Sequence, residues 1–123
     1  MEQAEHDLAS ARLQLEGGFW EWACFASHQA AEKAIKAVYQ KLGGEGWGRG
    51  LVDLLQGLRE RLAVAAEVEH CARLLDRYYI PTRYPNAWPQ GSPGSHHTRE
   101  ETEHAVRCAQ TALRFCHGLL AGP

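Results

Sequence analysis

Apolar residues recur every three or four positions along most of this chain, the spacing of one face of an α-helix. Ala4, Leu8, Ala11 and Leu15 mark a first helix, which Gly17-Gly18 closes. A second segment runs from about Phe19 to Leu42. Phe25, His28, Ala31, Ile35, Val38 and Leu42 form its stripe, and Gly43-Gly44 terminates it. At about 1.5 Å per residue it predicts a rod of some 36 Å, the spine of the domain. Leu51, Leu55, Leu58 and Leu62 predict a third helix. Val68, Cys71, Leu75 and Tyr78 or Tyr79 predict a fourth, which Pro81 must end because proline has no amide proton. The last helix opens at Thr98-Arg99-Glu100-Glu101, the form of a capping box with Thr98 as cap and Glu101 reaching back. Val106, Ala109, Leu113, Cys116 and Leu120 continue it as a buried stripe. No strand-like alternation of useful length occurs. The pattern predicts an all-α fold, an antiparallel up-and-down bundle of about five helices in a single domain over residues 1–123.

The connection from Ile80 to His97 breaks this rhythm. Pro81, Pro85, Pro89 and Pro93 recur at four-residue spacing among aromatic residues and arginines, and no carboxylate lies between Arg77 and Arg99. A connection this long in a compact domain is usually functional or disordered. The composition makes its charge conspicuous, because the chain as a whole carries a formal net charge of −2. Attraction to a polyanion would have to come from a local patch of this kind. The polar, acidic start MEQAEHDLAS predicts no secretory signal, and no apolar run approaches a membrane span, so a cytoplasmic protein is expected.

Within this strap, Arg77, Arg83 and Arg99 alternate with Tyr78, Tyr79, Tyr84 and Trp88. Guanidinium forks match phosphate geometry and aromatic faces stack on bases, which makes the segment a candidate nucleotide-binding element. The same residues admit a structural reading, with tyrosines packed over the core and Arg77 paired with Asp76 or a nearby glutamate. His28 lies on the apolar stripe of the long helix, where a hydrogen-bonded core residue is the plainer expectation. Lys33 and Lys36 flank that stripe, and Glu32-Lys36 has the spacing of a surface ion pair. Trp20 and Trp22 open the helix on different sides, so at least one is expected at the surface. Cys24, Cys71, Cys108 and Cys116 show no CxxC spacing and fall on or beside apolar stripes, which predicts buried free thiols and no metal site.

The segments HQAAEKAIKAVYQKLG (28–43), AEHDLASA (4–11) with its Asp-Leu pair, YIPTRYPN (79–86) and HTREETEHA (97–105) resemble the HEPN family, the higher eukaryotes and prokaryotes nucleotide-binding domains. The resemblance covers nearly the whole chain, in order. It implies a helical bundle that forms a homodimer, with a cleft between long helices. Some members accompany minimal nucleotidyltransferases in pairs that resemble toxin–antitoxin systems. Others are metal-independent RNases marked by an arginine, four to six residues and a histidine.

Two functions from different classes follow. In the first, a non-catalytic module binds a nucleotide such as ATP or GTP, or a nucleotide-bearing partner, through Arg83, Tyr84, Arg77 and Tyr79. His28 and Lys33 would then line the helical cleft, and no further cofactor is needed. In the second, Arg99 and His104, separated by four residues, act on RNA. Histidine would move a proton at the 2′-hydroxyl and arginine would hold the phosphate. Against the RNase, Glu100 stands where the family motif places Asn, Asp or His, and three glutamates lie between the two residues. Five helical positions also set the two side chains about 140° apart. Relatives carry a histidine near the start of the third helix where this chain has Arg49-Gly50. A third reading, a purely structural dimerisation module, remains alongside these two.

Overall fold

The computed structural model describes residues 1–44, 50–79 and 98–122. Among these it contains α1 (Glu2–Glu16), α2 (Trp20–Lys41), α3 (Leu51–Leu58), α4 (Ala66–Leu75), a 3₁₀ turn at Asp76–Tyr78, and α5 (Arg99–Ala121). The all-α helical bundle expected from the periodicity is the fold observed. The Pro-rich connection 80–97, with Arg83 and Tyr84, lies outside the described residues, as does Arg49.

Both glycine pairs end their helices by the same device. Gly18 and Gly43 take positive φ of 80° and 78°, a conformation that costs glycine little. The amide of Phe19 then donates to the Gln14 carbonyl at 2.8 Å, and that of Gly44 to the Tyr39 carbonyl at 3.0 Å. Each closes a Schellman motif and satisfies carbonyls that the helix end would orphan. At the other end of the chain, Lys41 Nζ donates to the carbonyls of Leu119, Leu120 and Gly122. A cation on the exposed carbonyls of α5 also meets the negative end of its dipole.

The spine α2 packs most extensively on α1 and α5. Its inner face carries Ala23, Ala30, Ala31 and Ala34, all without solvent exposure. Small side chains let neighbouring helices come close, and α1 answers with Ala4 and Ala11, α5 with Ala105 and Ala109. Leu51, Leu54, Leu55 and Leu58 of α3 supply the larger volume on the far side of the core. Isolated, eight residues would not hold a helix in water, so α3 depends on that burial and on its cap.

Two expectations shift. The third helix ends at Leu58, and the following turn carries Leu62 onto the core from outside the helix. That turn also lets Arg61 donate to the Leu42 carbonyl at 2.9 Å, fastening it to the end of α2. In α5, Thr98 Oγ1 accepts from the Glu101 amide at 3.0 Å as a capping box requires. The Glu101 carboxylate does not complete the box among the described residues; it accepts instead from the Tyr78 hydroxyl at 2.6 Å. No helix among the described residues is long and apolar enough to cross a membrane.

Candidate functional site

Glycine at the N-cap of α3 has no side chain to satisfy the first amides of the helix, and Gly50 is extended there. The acceptor comes from another part of the chain. Asp76, in the 3₁₀ turn, takes the Leu51 amide on Oδ1 at 2.7 Å and the Val52 amide on Oδ2 at 3.1 Å. Glycine at position 50 makes room for this, because a Cβ would sit 2.9 Å from the Asp76 carboxylate oxygens and push them aside. His28, without solvent exposure, completes the cluster by donating from Nε2 to Asp76 Oδ1 at 3.2 Å. Its Nδ1 faces the Gln29 side-chain amide at 3.3 Å. Burial pushes the Asp76 carboxyl upward, but the bonds from His28 and the two amides outweigh it and hold the group below its ordinary value.

Beside this cluster the 3₁₀ turn grips α5. Tyr78 is buried and donates to Glu101. Burial and that bond both push the phenol well above its usual range. Cys24 on α2 contacts the Thr102 hydroxyl at 3.6 Å, and Thr102 donates in turn to the Thr98 carbonyl at 2.8 Å. Tyr79 packs against the His28 ring, with centroids 5.4 Å apart and the ring planes tilted by 48°. Tyr79 and Thr98, the residues that flank 80–97, therefore leave the same corner of the bundle.

The predicted site residues divide among three places. His28 and Tyr79 meet in this corner, and Arg77 is exposed next to it. Lys33 does not join them: five positions along α2 turn it about 140° away. It pairs with Asp7 of α1 at 2.6 Å. Asp7-Leu8 and Lys33 carried part of the family resemblance, and the structure gives both segments a packing role, since Leu8 is also buried. On α5, Arg99 Nε lies 3.5 Å from Glu103 and its side chain is largely exposed, whereas His104 is half-buried.

Asp76 is the residue that sequence reasoning passed over, treating it as a partner for Arg77. The signal was available in the uncapped start of α3: a helix that opens on glycine needs an acceptor from elsewhere. The thiols are buried and free as expected. Burial pushes Cys24 up to about 11 and Cys108 and Cys116 up to about 12, so these three supply no thiolate near neutral pH. No group of histidine, cysteine and carboxylate side chains able to hold a metal occurs among the described residues. The corner consequently has the chemistry of a rigid platform whose polar groups bind one another.

Comparison with known proteins agrees with this architecture. A Thermus thermophilus protein of known crystal structure is 44% identical over 96% of this chain and 93% of its own, with a TM-score of 0.86. A HEPN domain protein of Thermotoga maritima is 41% identical over 100% of this chain and 98% of its own, with a TM-score of 0.82. An archaeal HEPN homologue is 37% identical over 95% of this chain and 91% of its own, at a TM-score of 0.80. No curated protein matches the sequence. The HEPN domain family matches residues 1–119, and with the bundle and its motifs in place the chain belongs to that family.

Proposed function

We propose that this HEPN protein is a non-catalytic module that binds a nucleotide, or a partner bearing one, through the strap between α4 and α5. It acts as a homodimer beside a minimal nucleotidyltransferase, in a toxin–antitoxin-like pair. The observation that carries this reading is the anchored corner. The Tyr78–Glu101 and His28–Asp76 bonds fasten the 3₁₀ turn to α5, α2 and α3, so both flanks of the strap start from fixed points. A strap presented from such a frame loses less entropy on binding than a free loop. Arg83, Tyr84 and Arg77 would engage phosphate and base, with Tyr79, packed against His28, as the floor. The homodimer draws support from an exposed apolar patch at the α1–α2 turn. Leu13 is 71% exposed, Phe19 58% and Trp22 54%, the kind of surface a subunit contact covers.

The competing RNase would need Arg99 and His104 at one phosphate. Arg99 faces Glu103 instead, and helical geometry sends the two side chains about 140° apart. Calorimetry with ATP and GTP at low and moderate salt tests the proposal. Saturable binding is expected, weaker at higher salt, and at least about tenfold weaker in Arg83→Ala with an unchanged melting temperature. No heat at millimolar nucleotide would overturn it, as would an Arg83→Glu protein whose main defect is a lower melting temperature. Metal-independent RNA cleavage that His104→Ala abolishes would establish the RNase in its place.

A further inference from the structure

A second surface feature lies where α1 and α5 pack together, running antiparallel. Glu5, Leu8 and Arg12 follow the i, i+3, i+7 spacing of one helical face, and Gln110, Leu113, Arg114 and His117 that of the facing one. Together they line an open trough of about 370 Å³, within the range of small-molecule sites. Leu8 and Leu113, both buried, make its floor. At one end His117 Nε2 meets Glu5 Oε1 at 2.8 Å, which engages the trough's single carboxylate.

What the trough brings together is a pair of arginines, one from each wall. Arg59, Arg73 and Arg99 each pair with a glutamate and Arg61 with a carbonyl, while Arg77 and Arg107 are exposed and have no such partner among the described residues. Arg12 and Arg114 line the trough from opposite helices, and neither has a hydrogen-bond or ion-pair partner among the described residues. Two unspent guanidinium forks over an apolar floor therefore occur in a chain of net charge −2. Guanidinium groups from two walls match a dianion that offers several oxygens, and the floor matches an apolar or aromatic body.

We propose that the α1–α5 trough binds a small phosphomonoester, with Arg12 and Arg114 on the phosphate and the organic body on Leu8 and Leu113. Gln110 supplies a neutral hydrogen-bonding group beside the phosphate, and the His117–Glu5 pair closes the far end. Arg114 lies about 24 Å along α5 from Thr98, where the chain returns to the described bundle, at about 1.5 Å per residue. The site does not depend on the strap binding anything.

Titration with inorganic phosphate, AMP and phenyl phosphate, monitored by calorimetry and by the amide spectra of α1 and α5, tests the assignment. Saturable binding of the two esters is expected, tighter than inorganic phosphate and weakened at least about tenfold in both Arg12→Gln and Arg114→Gln. Both arginines are exposed, so both variants should keep the wild-type melting temperature. Arg83→Ala should leave this binding unchanged, which separates it from the strap. Absence of binding would overturn the proposal. So would binding that survives both substitutions, binding lost only in Arg83→Ala, or response to a glutamate-rich helical peptide but not to either ester.

Discussion

The corner around Asp76 and the trough between α1 and α5 are both polar, yet they handle their charges in opposite ways. In the corner the buried polar groups bind one another: one carboxylate serves two helix amides and a buried histidine, and another takes a buried phenol. In the trough two arginines are left facing solvent over an apolar floor. A network whose buried polar groups are engaged with one another holds elements in place. Unspent charge on a packed scaffold contributes little to folding and is free to bind. Substitutions should therefore cost stability in the first region and affinity in the second.

The sharpest break is Asp76→Ala. It removes the cap of α3 and leaves the His28 Nε2–H buried without its acceptor. A loss of about 2–4 kcal/mol is expected in urea unfolding, whereas Arg114→Gln should stay within about 0.5 kcal/mol of wild type. Equal losses in the two variants would erase the contrast between the regions.

Acid offers a second way in. Because the folded Asp76 carboxyl lies below its ordinary value, its contribution is complete above the unfolded carboxylate range, near pH 4. It is lost as pH falls through the lower folded value. Wild type should thus lose stability more steeply than Asp76→Asn below about pH 4, in unfolding curves collected at stepped pH. Parallel slopes would mean that the carboxylate is not held as the geometry implies.

Gly50→Ala should cost less, about 1–2 kcal/mol, because its new methyl group displaces the Asp76 carboxylate without removing it. In the double variant with Asp76→Ala most of this cost should vanish, and a double-mutant cycle reads that coupling directly. Additive costs would show that Gly50 serves some purpose other than making room. The smallest effect belongs to Lys33→Ala, which breaks an ion pair to Asp7 whose lysine is about half open to solvent. About 0.2–1 kcal/mol is expected in the same assay, shrinking with added salt.

Much of the fold was legible before any coordinates, because its signals are local. Gly17-Gly18 and Gly43-Gly44 announced helix ends through a backbone conformation that glycine adopts readily, and both pairs close Schellman motifs. Thr98 announced the start of α5 through its own hydroxyl. The length of α3 was not legible, since the apolar spacing continues to Leu62 although the backbone turns after Leu58. A turn can bring an apolar residue to the core as well as a helix can. His28 is the hydrogen-bonded core residue its stripe suggested, without the solvent exposure a cleft-lining residue would have, and the identity of its partner was not readable.

By itself the sequence determined an all-α bundle, the ends of its long helices, the burial of its thiols and membership of the HEPN family. These follow from helical period, from capping chemistry and from motifs that each lie within a few residues. Only the tertiary structure decided that Asp76 caps a helix starting at Leu51 and holds His28, 48 positions away. It also decided that Glu101 leaves its own capping box for Tyr78, and that Arg12 and Arg114 face one trough without partners among the described residues. Such pairings depend on the rotation and register with which helices pack. Local periodicity constrains which face is buried, not which distant side chain that face will meet.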